Sequence, residues 1–519
     1  MANIDRRDFL RKMGVSAAAL GLGSSAGLGK EQAWKSQSAA HNSKTSPNVV
    51  VIFIDQLRSF ALGCYGNETV NTPHIDNLAR QGYRFDLGIS NNPVCVPARA
   101  ALLSGQHART CVGSRMNEMT DNHLLGRDDR AKFKDATIAE LFKDKGYKTA
   151  LIGKWHTDAR PTHLGFEQSL ITNEIFSSGS FVENEKDEYR VPVFSADHEI
   201  AKAREFFREN KSGSRPFFLY YNIISPHMPL LDVPYKYTRM YDPEKLPLRP
   251  NVWREGKLAS NETWFHIYMW QKIIKSPHQP ITAKASPEFT VKDLTALYYG
   301  SITWTDDIVG QVLDSLKENG LEDNTIVVLA ADHGDMLGSQ HRWNKDRPYE
   351  EAIRVPMIYR WPGRIKKGEN KEQVTSLIDV MPTILELCET EIPSSVQGRS
   401  VASLMDGSAE KTSLEDNYAF IETPFAELAI RTPTHLYAVK MDESGKNIYN
   451  DKHLFFDLRT DPYEQKNLLE TGEQSEVAKE LRDKIYQWHK NTPIPESFKY
   501  DAWAPNHANY INNLGGFKG

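Results

Sequence analysis

The stretch Asn92-Pro93-Val94-Cys95-Val96-Pro97-Ala98-Arg99 sets a cysteine, a proline and an arginine at two-residue intervals, ahead of Ala100-Ala101-Leu102-Leu103-Ser104-Gly105. Pro97 suits a first helical turn, where a missing N–H costs nothing. The small apolar residues that follow favour helix, and Ser104-Gly105 supply a stop. Cys95 then lies at a helix mouth, where free backbone N–H groups and the positive end of the dipole favour an anion. Arg99, one turn on, can reach back over the same spot. Taken alone, the segment is also an ordinary helix start with a buried cysteine.

Other residues with chemical potential stand at the ends of apolar runs. Asn48-Val49-Val50-Val51-Ile52-Phe53-Ile54 reads as a strand buried on both faces of a parallel sheet, and it ends at Asp55-Gln56. In open α/β sheets, chemistry gathers beyond the carboxyl ends of such strands. A short strand from Tyr147 to Ile152 precedes Gly153-Lys154-Trp155-His156, and in an extended segment Lys154 and His156 point to the same side. The run Phe217 to Ile224 leads to Ser225-Pro226-His227-Met228-Pro229, which fixes His227 in a loop. Asn324 to Ala331 delivers Asp332-His333, and Lys345 follows in a polar loop before the strand Val355 to Tyr359. Helices are expected over residues 71–79, Thr137 to Lys145, Asp197 to Asn210, Thr290 to Asn319, within Thr375 to Leu387, and Gln474 to Lys490.

Cys-x-Pro-x-Arg followed by Ser-Gly resembles the maturation and active-site signature of the type I sulfatases. The stretches Leu62-Gly63-Cys64-Tyr65-Gly66 and Asn71-Thr72-Pro73-His74 resemble their N-terminal region. The resemblance covers most of the chain from about residue 47, and is weaker in the long segment 229–287 and in the C-terminal third. It implies an alkaline-phosphatase-like α/β fold, with a mixed, mostly parallel sheet sandwiched by helices. A catalytic domain is expected over 47–405, with a smaller C-terminal antiparallel subdomain over 410–519.

The resemblance also implies that Cys95 is oxidised to formylglycine by a maturating enzyme. One hydroxyl of the hydrated aldehyde attacks sulfur, and deprotonation of the second expels sulfate by C–O cleavage. Asp55, Gln56, Asp332, His333 and the residue-95 oxygen would hold one divalent cation, expected to be Ca²⁺. Many relatives carry aspartate where Gln56 stands and asparagine where His333 stands; a histidine nitrogen is an unusual Ca²⁺ ligand. Lys154 and Lys345 would clamp the sulfate, Arg99 and His156 would position the formylglycine, and His227 would protonate the leaving alkoxide. His107, His163, Arg342 and Trp343 are candidates for contacts to a sugar. The expected reaction is exo-acting desulfation of a sulfated polysaccharide or oligosaccharide. Alternatives are a phosphonate monoester or phosphodiester hydrolase or a choline-type sulfatase of the same superfamily, and a sulfoglycan-binding protein without activity.

The composition is that of a soluble globular protein, with 25% charged and 10% aromatic residues and no low-complexity tract. A net charge of -5 over 519 residues gives no support to nucleic-acid binding. Arg6-Arg7-Asp8-Phe9-Leu10, the mild apolar run Val15 to Leu22 and a Ser/Gly/Ala-rich stretch read as a twin-arginine export signal with its linker over residues 1–40, hence a periplasmic, secreted or cell-surface address. No other apolar run is long enough to insert stably in a membrane. The four cysteines show no pairing pattern, and no disulfide framework is expected. Trp253, Trp264, His266, Tyr268 and Trp270 in the long segment either pack it against the body or stack on sugar rings.

Overall fold

The structure, a computed structural model, describes residues 46–112, 133–157, 159–173, 176–177, 179–252, 290–409, 412–424, 426–442 and 447–492. The export-signal segment and the aromatics from Trp253 to Trp270 lie outside the described residues. One compact unit begins at Pro47.

The centre of that unit is a ten-stranded sheet built from β1 (Asn48–Ile54), β2 (Tyr83–Ile89), β3 (Lys148–Gly153), β4 (Gln168–Thr172), β5 (Ser180–Glu183), β6 (Glu188–Arg190), β7 (Phe217–Ile223), β8 (Thr325–Ala331), β9 (Arg354–Arg360) and β10 (Gly368–Ser376). Their order is β10-β2-β9-β8-β1-β7-β3-β4-β5-β6. The central run β8-β1-β7-β3-β4 is parallel, while β9 runs antiparallel to both β8 and β2.

β1 shows why the unbroken β-branched run is a central strand. Val50, Ile52 and Ile54 enter the core on one face; Val49, Val51 and Phe53 enter the core on the other. A strand with helices on both sides has no polar face to expose. The first face is covered by α1 (Pro73–Gln81), then α4 (Ser195–Asn210) and the long α5 (Val291–Glu318), where α2 (Cys95–Ser104) and α3 (Ile138–Asp144) cover the second together with α7 (Leu377–Leu387). Between these lies the single turn α6 (Glu350–Ile353). Local capping sets several ends. Thr137 and Glu140 form a reciprocal capping box on α3, and Thr290 with Asp293 does the same for α5.

A four-stranded antiparallel sheet follows: β11 (Ala419–Glu422), β12 (Glu427–Arg431), β13 (His435–Met441) and β14 (Ile448–Asp457). One of its faces packs on α8 (Ser475–Asn491) through Leu428, Ile430, Phe455, Leu481 and Ile485. The other meets Leu87, Ile89, Ile353 and Val374 of the main body through Ala429, Leu436 and Phe456. The expected helices and strands are all present within a few residues. The antiparallel extension β4 to β6 and the edge strand β10 appear as well, and these carry mixed polar runs such as Gly368-Glu369-Asn370-Lys371.

Candidate active site

Parallel pairing brings the strand-end residues together. Ile54 of β1 lies opposite Ala331 of β8 and Ile223 of β7, and Gly153 of β3 lies opposite Asn222. The ladder then continues one residue past each strand. Asp55 N–H donates to the Ile223 carbonyl at 2.9 Å, Asp332 N–H to that of Ile54 at 3.2 Å, and Lys154 N–H to that of Asn222 at 3.2 Å. Gly153 has φ 97°, and a Cβ there would lie 2.0 Å from the Asn222 carbonyl oxygen, so only glycine lets β3 turn so tightly.

Cys95 is the first residue of α2, whose ten residues are all buried and whose end is set by Gly105 at φ 64°. Its Sγ lies 3.2 Å from His333 Nε2, 3.2 Å from Lys345 Nζ, 3.8 Å from Lys154 Nζ and 3.7 Å from Asp55 Oδ1. Lys154 in turn pairs with Asp55 at 2.7 Å. Arg99 reaches back to the carboxylates beside Cys95. Its Nη2 bridges Asp55 Oδ2 and Asp332 Oδ2, both at 3.0 Å, and its Nη1 donates to Asn222 Oδ1 at 2.7 Å. The guanidinium therefore holds the two carboxylates of adjacent strands at a set separation.

Burial and the Asp55 charge push the Cys95 thiol up, but Lys154, Lys345 and His333 outweigh them and hold it well below the ordinary thiol range. Burial also opposes ionisation of Asp55, yet Lys154, His227, Arg99 and Lys345 keep that carboxyl well below its usual value. Asp332 goes the other way. Burial and the neighbouring Asp55 raise it to about 6. On Lys345, burial works against the charge, and Cys95 and Asp55 more than restore it, so its ammonium is held above the usual value. Of the two carboxyls, Asp55 is therefore well compensated and Asp332 is the one left hard to ionise.

The donor set is able to hold a divalent cation. Atoms of Asp55, Cys95, Asp332 and His333 all lie within 4.8 Å of one another, fully buried. Gln56 spends its amide hydrogens elsewhere, donating to Asp335 Oδ2 at 2.6 Å and Asn344 Oδ1 at 3.3 Å, which leaves Oε1 turned toward Lys345. Nδ1 of His333 lies 2.8 Å from the Gly334 carbonyl, a contact that puts a ring proton there and aims Nε2 at Cys95 and the carboxylates. Gln56 holds φ 66° to make this turn, and its carbonyl accepts from the Tyr298 hydroxyl at 2.7 Å.

His156 and His227 follow the ends of β3 and β7 and are set differently. His227 is 7% exposed, with Nδ1 2.8 Å from the Met228 carbonyl and its charge felt at Asp55. His156 has φ 50°, so the segment after β3 is not extended and the alternation that put Lys154 and His156 on one side does not apply. Lys154 reaches the Cys95 cluster, whereas the His156 Nδ1 is buried with no hydrogen-bond partner among the described residues.

The four candidates for sugar contact are scattered. His107 is buried edge-on against Trp488 of α8, ring centroids 4.9 Å apart, and burial together with Arg109 pulls its pKa down to about 3. Trp343 belongs to the apolar core, 6% exposed. Arg342 is half-buried near Arg347 and Tyr349, and His163 half-buried in the turn Pro161–Leu164. Conversely, Asn222, Asp335, Asn344 and Tyr298 were not apparent from sequence. Each acts on another site residue rather than on a motif of its own, and Asn222 sits inside an apolar strand. All four cysteines are free.

The sulfatase family model matches residues 47–390, and the model of the N-sulphoglucosamine sulphohydrolase C-terminal region matches 338–491. The chain is 30% identical over 489 residues to an ulvan-active sulfatase of Formosa agariphila, covering 90% of this chain and 85% of that one. It is 26% identical to an N-acetylglucosamine-6-O-sulfatase of Bacteroides thetaiotaomicron, with 86% of each chain covered. The solved structure of yidJ from Bacteroides fragilis, a sulfatase by assignment, superposes with a TM-score of 0.70 at 26% identity over 89% of this chain and 99% of that one. The chain belongs to the sulfatase family, on an alkaline-phosphatase-like fold, and is a sulfuric ester hydrolase.

Proposed function

We propose that the protein removes sulfate esters from a carbohydrate, as an exo-acting polysaccharide or oligosaccharide sulfatase. The observation that carries this is the surroundings of Cys95 Sγ: two ammonium groups and an imidazole within 3.8 Å, in front of two carboxylates bridged by Arg99. The carbohydrate class is supported by what the relatives from Formosa and Bacteroides act on.

The reading includes formylglycine at residue 95 and Ca²⁺ held by Asp55, Gln56, Asp332 and His333. When present, these supply a geminal-diol nucleophile and positive charge against the sulfate oxygens. The remaining roles fall to the chain. Lys154 and Lys345 bind the anionic ester from two sides of residue 95. Arg99 keeps Asp55 and Asp332 in place. His227, which lies near enough to Asp55 to act on its charge, would give a proton to the departing sugar oxygen. Conversion of Cys95 requires a maturating enzyme, and the paired arginines Arg6-Arg7 send the product to the periplasm.

The test is sulfate release by the matured protein from defined sulfated oligosaccharides, with phosphate release from phosphonate monoesters and turnover of choline sulfate measured beside it. Sulfate from a sugar, lost in Cys95→Ala, is the expected result. Good turnover of a phosphonate or choline sulfate with none of any sugar sulfate overturns the carbohydrate reading. Mass spectrometry of the residue-95 peptide from active protein is expected to find the aldehyde; finding only the thiol overturns the nucleophile.

A further inference from the structure

Asp346 is the residue after Lys345 and takes no part in the roles above. Its backbone is in the left-handed region, φ 78°, and its N–H donates to the Pro93 carbonyl at 3.3 Å, tying it to the loop that enters Cys95. Its chain neighbour Lys345 puts Nζ 3.2 Å from Cys95 Sγ, and Lys345, His333, Arg347 and Cys95 all act on the Asp346 carboxylate, so it borders the residue-95 site. Asp55, Asp332 and Asp335 are fully buried, and each is bonded to neighbours. Asp346 is only half-buried, and its carboxylate makes no hydrogen bond or ion pair among the described residues. It also lies outside the Asp55, Cys95, Asp332 and His333 cluster.

An ionised carboxylate can only accept hydrogen bonds. Placed beside the ammonium that binds the sulfate, it meets whatever the substrate carries next to the ester. We infer that Asp346 determines specificity by accepting a hydrogen bond from a hydroxyl on the ring carbon beside the sulfated one, and by turning away rings that bear a second anion there. The inference rests on the carbohydrate reading above and narrows it to rings sulfated once at that edge. A site built around an acceptor rejects a substrate lacking the donor far more strongly than an apolar pocket rejects a missing methylene. Rejection of a second sulfate or a carboxylate is repulsive selection by like charge.

The test uses the matured full-length enzyme and the 2-, 3-, 4- and 6-monosulfates of glucose and galactose; preference for a 6-sulfate, whose neighbouring ring carbon bears no free hydroxyl, overturns the inference. The best of these is compared with its analogues deoxygenated, or sulfated again, at the neighbouring carbon. For the natural sequence, kcat/KM is expected to fall at least about 30-fold for both analogues. In Asp346→Ala the penalty for the missing hydroxyl is expected to shrink to within about 3-fold, and in Asp346→Asn the penalty for the second sulfate is expected to shrink most. Each comparison is a ratio within one variant, so partial misfolding cancels. Equal discrimination in the natural enzyme and in Asp346→Ala, or no discrimination by the natural enzyme, overturns the inference while leaving the carbohydrate reading in place. Failure of the natural enzyme on every sugar sulfate overturns both.

Discussion

Two buried ionic clusters meet at the single turn α6, and they are arranged to different ends. Around Cys95, two carboxylates, two lysines, an arginine and an imidazole crowd together, and Asp332 stays hard to ionise even so. On the far side of the turn, Glu350 is bound by Arg431 at 2.7 and 3.2 Å, and Glu351 by Arg249 at 2.8 Å and Asn251 at 2.9 Å. Burial opposes ionisation of Glu350, but Arg431, Arg354 and Arg249 hold it below its usual value. Glu464 completes this second cluster by accepting from the Glu350 N–H at 3.0 Å, where it caps α6.

The backbone of that turn then supports the first cluster. Gly334 N–H donates to the Ala352 carbonyl at 2.8 Å, while the Gly334 carbonyl accepts from His333. A Cβ on Gly334 would lie 2.0 Å from the Glu351 carbonyl oxygen, so the loop that carries Asp332 and His333 lies directly on α6. Gln340 Nε2 donates to the carbonyls of Tyr463 and Glu464, both at 2.9 Å, and so braces the loop that delivers Asn344 and Lys345. The difference is one of purpose. Around Glu350 and Glu351, arginines and an asparagine hold carboxylates in position, whereas the charged groups of the first cluster converge on one sulfur atom.

Variants separate the two. Cys95→Ala is expected to lower kcat for any sulfate ester by about 10⁴-fold or more, with a melting temperature close to that of the unconverted protein. Asp332→Asn removes one donor charge and is expected to cost about 10²–10³ in kcat, with weaker Ca²⁺ binding by calorimetry. Equal calcium affinity in that variant breaks the view of the Cys95 cluster as ion-seeking.

Arg431→Ala leaves Glu350 buried without its fork and is expected to lose about 3–5 kcal/mol of stability in denaturant titrations. Well below its melting temperature, its kcat is expected to stay within about 3-fold, since no group at Cys95 is touched. A larger drop in kcat without loss of stability would contradict the assignment of that cluster to position. Glu464→Gln keeps an acceptor for the Glu350 N–H, and is expected to change stability by less than about 1 kcal/mol.

The smallest effect concerns a carboxyl in neither cluster. Glu199, 2% exposed beside Thr172 and Tyr221, is raised by burial to about 8 from an ordinary 4.5. The fold keeps its proton where the unfolded chain releases it, so this group's contribution to stability is present below about pH 4.5 and is lost as pH rises toward 8. Glu199→Gln is expected to flatten that slope and raise the melting temperature at pH 8 by about 2–4 °C, with little change at pH 5.

Much of this was legible along the chain. The run from Asn48 to Ile54 is apolar at every position, which only a strand covered on both faces tolerates. Helix α2 follows from small residues between Pro97 and Gly105, and the cysteine, lysine and aspartate that end the neighbouring elements have types suited to an anion and a cation. Local patterns failed where the backbone left regular structure. His156 turns through φ 50°, and His107, polar and near Cys95 in sequence, is carried under Trp488.

The sequence by itself determined which elements form and which residues end them, because hydrophobic period and capping act over a few residues. It also determined family membership through the spacing of Cys95, Pro97 and Arg99. Only the tertiary structure decided that Asp55 and Asp332 share one guanidinium. Their adjacency depends on β1 pairing in parallel with β8, Ile54 against Ala331, and parallel partners are chosen by long-range packing that no local period encodes. The same pairing sets Asn222 under Arg99 and Lys154 beside Asp55, turning residues far apart in the chain into one centre.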